Sequence, residues 1–312
     1  MALRSPVPRP SRLVLVALAA LAAAYVALQL VGAQTPTPMH SAGQNIAPAY
    51  EGWEQNPDGS FNLVFGYLNR NWEEAITIPV GPDNSIEPGG PDQGQPTHFL
   101  PRRNYFLFRI RVPQDFGDKE LVWTLTSHGR TERAYATLRP GYILNDDVMT
   151  ATLGAVGDGV TNNEVSTQNT RPLLRVEGNP SRTATVGEPV ALTAFAEDDG
   201  LPRPNPSPRW RGSPTDSAIG TLWSAAGLRV AWFVYRGEGD AVVFTPPQFK
   251  VYQDLRGGSP WSPGWTPPPV PPDNRWATTA TFSKPGTYVL RCLAHDGAIS
   301  THNDVTVTVS SN

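Results

Sequence analysis

Short alternating runs dominate the chain after Tyr50. Phe61, Leu63, Phe65 and Tyr67 fall on one face of an extended segment, as do Phe106, Phe108, Ile110 and Val112. Leu121, Trp123 and Leu125 do the same, opposite Val122, Thr124 and Thr126. A period of two sends successive side chains to opposite faces, so each run, bounded by Gly, Pro, Asn or Asp, reads as a half-buried β-strand. Helices have little room. The 312 residues include 33 Pro and 28 Gly, which cost about 3 and about 1 kcal/mol respectively in a helix interior. The expected fold class is therefore all-β, with many short strands joined by turns. The Pro and Gly share stays below the ~25–30% that marks a disordered chain, and a hydrophobic content of 39% with nine Trp supplies material for cores.

Length suggests about two domains. Residues 50–140 read as a first β-sandwich of about six or seven strands, its domain placed at 49–140. Ser127-His128-Gly129-Arg130 links Leu121–Thr126 to a strand near Ala134–Leu138 as a hairpin. The polar stretch from Pro79 to Pro101 is too long for a simple connection, and loops of that length are usually functional or mobile. Residues 141–170 form a linker rich in Asn, Asp, Gly and Thr, with a short helix over Asp146–Leu153. Its Gly154–Gly159 run imitates a phosphate loop only superficially, lacking strand-to-helix context and a following Lys-Ser/Thr. A second sandwich occupies 171–312, with strands at Thr183–Val186, Pro189–Ala196, Leu228–Tyr235, Ala277–Phe282, Thr287–His295 and Asp304–Val309.

The N-terminus points to export. Arg4, Arg9 and Arg12 precede an apolar run from Leu13 to Val31, and no acidic residue occurs before Glu51. This is the secretory arrangement, with the N-terminus held in the cytoplasm. Two readings stand. Val31-Gly32-Ala33 offers a cleavage site before Gln34, giving a signal peptide over 1–33. The run also approaches the ~20 residues of a bilayer span, giving a retained anchor. Both place the remainder outside the cytoplasmic membrane, periplasmic or at the cell surface. Residues 34–48 read as a flexible, Pro-punctuated tether.

The second domain carries a resemblance. Val186-Gly187-Glu188-Pro189-Val190-Ala191-Leu192, Ala196 to Pro202, and Val230-Ala231-Trp232 resemble the opening strands of PKD-type immunoglobulin-like modules of bacterial envelope proteins. Thr281-Phe282, Pro285 to Arg291 and Ala294-His295-Asp296-Gly297 resemble that family's closing hairpin, and Val305–Val309 its last strand. The resemblance implies an immunoglobulin-like sandwich and no particular activity, because this fold hosts many roles. A long Trp/Pro-rich stretch replaces the family's short middle region. The first domain is similar to a segment of uncharacterised exported bacterial proteins. Tyr288, Leu290, Cys292 and Ala294 share one strand face, and Arg291 and His295 the other. Cys292, the only cysteine, falls where immunoglobulin domains place an inter-sheet disulfide, and Trp232 where they bury a central tryptophan.

Chemistry is sparse in the sequence. With 25 basic against 28 acidic residues, the basic surplus of a nucleic-acid binder is missing. His40, His98, His128, His295 and His302 show no HExxH or i,i+4 spacing, and no Gly-x-Ser-x-Gly elbow occurs. Glu73 and Glu74 are adjacent and would face opposite ways on a strand. No catalytic residues are assigned. Calcium is the one cofactor considered: Asp198, Asp199, Asp296 and Asp304 are expected at one pole of the sandwich, either as hard-oxygen ligands or simply as turn residues.

Trp210 lies in a Pro/Arg segment (202–214), and Trp261, Trp265 and Trp276 surround Pro260–Pro272. Proline stiffens such loops and lowers the entropy lost on binding. Either these tryptophans contact a protein partner or a glycan, or they fold back over the sandwich edge as a satellite core. The expected function is a non-catalytic envelope protein, a binding or scaffolding module, in one version an accessory subunit on the outer face of a membrane complex. A polysaccharide-binding surface protein and an enzyme with a loop-built site are the rivals.

Overall fold

The computed structural model describes residues 39–153, 168–203 and 224–311. The hydrophobic run 13–31, the Gly154–Gly159 segment and Trp210 lie outside the described residues. No helix among the described residues is long and apolar enough to cross a membrane.

The alternating runs become strands, and the structure is mostly β. In the N-terminal module, β1 (Ile46–Gln55), β2 (Phe61–Asn69) and β6 (Arg102–Val112) form one antiparallel sheet. β4 (Asn84–Glu87), β7 (Leu121–Ser127) and β8 (Arg130–Ala136) form a second, and β3 (Ile76–Thr77) pairs with β5 (His98–Phe99). Trp123 is fully buried between the sheets, edge-on to Phe65 and Phe108 at centroid distances of 6.0 and 5.0 Å. The β7–β8 turn matches the expected hairpin. His128 and Gly129 have φ of 47° and 71°, the positive pair of a two-residue turn whose twist suits the strands. β1 begins at Ile46, so the chain expected to be tether up to residue 48 is already strand at its end. Ile46 is buried there, and its amide donates to Ser127 Oγ at 2.9 Å.

The C-terminal module sets β9 (Leu173–Val176), β11 (Val190–Glu197), β14 (Arg275–Phe282) and β13 (Val242–Thr245) against a sheet of β10 (Ser181–Thr185), β16 (Ser300–Ser310), β15 (Gly286–His295) and β12 (Arg229–Arg236). β10 runs parallel to β16, and every other pairing is antiparallel. Trp232 lies opposite Cys292 in register, and both are buried in the core between the sheets. This is the immunoglobulin-like arrangement the resemblance implies, with its central tryptophan and without a disulfide. Burial pushes the Cys292 thiol far above its ordinary value, so it packs as a small hydrophobe.

The two modules share buried structure. β12 reads Arg-Val-Ala-Trp-Phe-Val-Tyr-Arg and offers no polar face, the pattern of a strand covered on both sides. Val230, Trp232 and Val234 enter its own module's core, whereas Phe233 and Tyr235 enter that of the N-terminal module. In β15 the expected face of Tyr288, Leu290, Cys292 and Ala294 is inward, and Val289 and Leu293 pack against the other module. The expected linker takes part as well. Its helix, α1 (Asp146–Leu153), forms where expected and buries Met149 with Val64 of β2, Leu144 and Ile299. Gly52, at a β1 bulge with φ 138°, lets the linker cross: a Cβ there would lie 2.5 Å from the Tyr142 carbonyl oxygen.

Candidate functional site

The Pro79–Pro101 loop, expected to be functional or mobile, is a structural joint. Asn84 is fully buried and accepts from Trp123 Nε1 at 3.0 Å while donating to the carbonyls of Ile78 and Pro96. Gln95, also fully buried, donates to Asn84 O and Pro91 O. The loop so pinned presents its backbone to the other module. Thr97 N donates to Tyr235 O at 3.2 Å, Tyr235 Oη to Gly94 O, and Arg236 Nε to Gln95 O at 2.8 Å. Arg291 closes the joint: its guanidinium stacks on Tyr235 at 3.6 Å, donates to Leu107 O and pairs in two-pronged fashion with Asp304.

That pair corrects the expectation for Asp304. It sits within β16 opposite Arg291, not at the pole with the other carboxylates, because the strand begins at Ser300 rather than Asp304. Asp199 is occupied as a turn acceptor, taking Thr170 N and Oγ1 at 2.7 Å each and Leu201 N at 2.9 Å. Asp296 is fully buried, and its oxygens accept from Ala298 N, Ile299 N and Asn169 Nδ2. Burial raises its carboxyl to about 7, with repulsion from Asp198 adding to the effect. Burial likewise raises Asp198 to about 6. Asp198 and Asp296 thus approach each other, but no group of three or more Asp, Glu, His or Cys side chains among the described residues converges to hold a metal.

The inserted region is divided. Gln248 caps the edge of β12, its Oε1 accepting from Trp232 N at 3.0 Å. Asp254 is fully buried and takes Lys250 Nζ at 2.6 Å and Arg256 Nη2 at 2.9 Å. Arg256 continues across the joint to Glu73 and Trp72 O, both at 2.7 Å. Trp261 is 6% exposed and lines a cavity with Arg229, Phe249, Val251, Pro260, Leu293 and His295. Trp276 is half-buried against the C-terminal core. Of the contact residues proposed from sequence, Trp261 and Trp276 therefore fold back. β14 starts at Arg275, earlier than expected, which turns Trp276 inward. Trp265 is half-buried, edge-on to Phe249 at 5.3 Å.

The stretch beyond Trp265 stays at the surface. Thr266, Pro268, Pro269, Val270 and Pro272 are exposed, and no strand or helix forms between 266 and 271. Both ends are fixed. Trp265 N donates to Ser262 O at 3.2 Å, Asn274 N to Pro271 O at 2.9 Å, and the chain then enters β14. Five prolines fix φ here and push each residue before them into extended geometry, which leaves carbonyls facing water with few N–H groups beside them.

Fold and site together define a pair of fused β-sandwiches, the second immunoglobulin-like, with a rigid Pro-rich arch on its surface. No protein-family model matches the chain, and no curated protein matches it. Solved structures give loose overlays. The titin M10–obscurin-like 1 Ig mutant complex aligns at 14% identity over 46% of this chain and 98% of that one, with a TM-score of 0.23. Fibronectin(III)-like modules of Clostridium thermocellum CbhA align at 11% over 86% and 95%, TM-score 0.23. Domains 4 and 5 of the S-layer protein SbsC align at 10% over 85% and 98%, TM-score 0.22. Overlays at these scores carry no inference, and the immunoglobulin-like assignment rests on strand order and register.

Proposed function

We propose that the protein is a non-catalytic, exported binding or scaffolding module, and that the arch at 266–272 is its contact with a protein partner, in the membrane-anchored version a subunit of a membrane complex. One observation carries the proposal: among the described residues of the inserted region Trp261 is buried and Trp265 half-buried, whereas Thr266, Pro268, Pro269, Val270 and Pro272 are exposed on a proline arch clamped at both ends. A segment held extended loses little conformational entropy on docking, and its proline rings and free carbonyls suit a groove of aromatic side chains with indole or hydroxyl donors. Export is read from Arg4, Arg9, Arg12 and the apolar run that follows.

The polysaccharide reading relied on Trp210, Trp261, Trp265 and Trp276 as stacking platforms; Trp261 and Trp276 fold back, Trp265 is half-buried and Trp210 lies outside the described residues, so the proline arch is the better supported contact. The test is co-purification from native membranes. Replacing Pro268, Pro269 and Pro271 together by Ala leaves the melting temperature within about 2 °C, as surface substitutions do, and releases the partner. Retention of the same partner at the wild-type level counts against the arch. Intact mass of the natural product separates a cleaved signal from a retained anchor.

A further inference from the structure

Arg229 is a cation in the wrong place for a β-sandwich. It is 2% exposed, yet no carboxylate among the described residues comes within ion-pairing distance of its guanidinium. Among the described residues its Nη atoms donate only to neutral groups, the carbonyls of Ala225 and Gly227 and the Ser224 hydroxyl, and its guanidinium lies 5.7 Å from the centre of the Trp265 ring. Asp296 is near enough to favour the charged guanidinium, but its oxygens are turned to the amides of Ala298 and Ile299 and to Asn169. A buried charge with no carboxylate paired to it is costly, and such exceptions call for an explanation.

Two further donors line the same cavity. Trp261 Nε1 is buried with no hydrogen-bond partner. His295 accepts from Gly297 N through Nδ1 at 2.8 Å, so in its neutral form the proton sits on Nε2. Burial and the neighbouring Arg229 keep this imidazole neutral. A buried guanidinium, the unanswered Trp261 N–H and the His295 Nε2 proton therefore belong to side chains around a cavity with room for about one water-sized occupant. Phe249, Val251, Pro260 and Leu293 contribute apolar side chains to the rest of its lining.

We propose that this cavity binds a small monovalent anion of halide size, chloride being the abundant representative, held by Arg229, Trp261 Nε1 and His295 Nε2. Charge-assisted donors favour an anion over water, and the cavity is too small for phosphate or sulfate. The anion sits where the inserted region closes on β12 and β15, so it fastens the insertion beneath the proline arch. The site stands independently of any partner.

The test is thermal melting of the purified full chain in sodium chloride and in sodium gluconate at equal ionic strength and pH, for the wild type and for W261F, which keeps a ring and removes the N–H. The wild type melts about 3 °C higher in chloride at ten times its dissociation constant, and W261F loses at least half of that difference. Two results overturn the site. Equal melting in both salts means that the cavity holds only water, and a chloride effect of unchanged size in W261F means that the anion acts elsewhere.

Discussion

Replacing Tyr235 by Ala tests whether the two sandwiches are one structural unit. Tyr235 lies on the outer face of a sheet, where an independent immunoglobulin-like domain would expose it. Here it is 3% exposed in the N-terminal module's core, under the Arg291 guanidinium and bonded to Gly94 O. Truncating a buried aromatic to Ala costs about 3–5 kcal/mol, a desolvated cation–π contact about 1–2, and the hydroxyl bond about 1. These contributions overlap, so a loss of about 5 kcal/mol is expected. Tyr235→Phe removes only the hydroxyl and loses about 1 kcal/mol. Urea unfolding followed by fluorescence of the nine tryptophans, which lie in both modules, measures the losses and shows one shared transition. Two separate transitions in the wild type, or a loss within about 0.5 kcal/mol for Tyr235→Ala as at ordinary surface positions, would refute the fused core.

Two further expectations concern charge. Asp304→Asn breaks the pair with Arg291, whose side chain is 5% exposed against 35% for Asp304; a loss of about 2–3 kcal/mol is expected, below the ~3–5 of a fully buried pair because of that exposure. Melting in calcium and in chelator should shift equally for this variant and the wild type, and a calcium effect abolished by Asp304→Asn would restore it as a metal ligand. His98 is buried at the joint, and desolvation lowers it to about 4, opposed only by Asp240. A depressed histidine favours protonation of the unfolded chain, so its stability contribution is intact above about pH 6.5 and lost as pH falls to about 4, by about 3 kcal/mol. Asp198 and Asp296, raised to about 6 and about 7, act in the opposite sense as pH rises. Urea titrations across this range should find His98→Asn losing less stability on acidification than the wild type, and an identical slope would show that His98 titrates normally.

The alternating runs made most strands readable, and the short helix at Asp146–Leu153 and the hairpin at Ser127–Arg130 followed from local chemistry. β9 and β13 were not expected, being four residues each and set by pairing with β11 and β14 rather than by their own pattern. The joint had one readable signal, the absence of a polar face in Arg229–Tyr235, which marks a strand covered twice. What covers it depends on a register that only the folded chain sets. The same holds for the insertion. Its Trp and Pro are conspicuous in sequence, but burial of Trp261 beside Arg229 and His295 joins residues from three separate parts of the chain.

The most direct test of the binding role uses a photo-crosslinking amino acid placed at Val270 in the arch, with Val243 as control. Val270 is 46% exposed and Val243 62%, and Val243 lies on β13, beside the far end of β14. Irradiation of native membranes should yield one crosslinked protein from position 270, competed away by a peptide of residues 265–273, and none from 243. Equal crosslinking from both positions, or crosslinking from 243 alone, would contradict the arch as the contact surface.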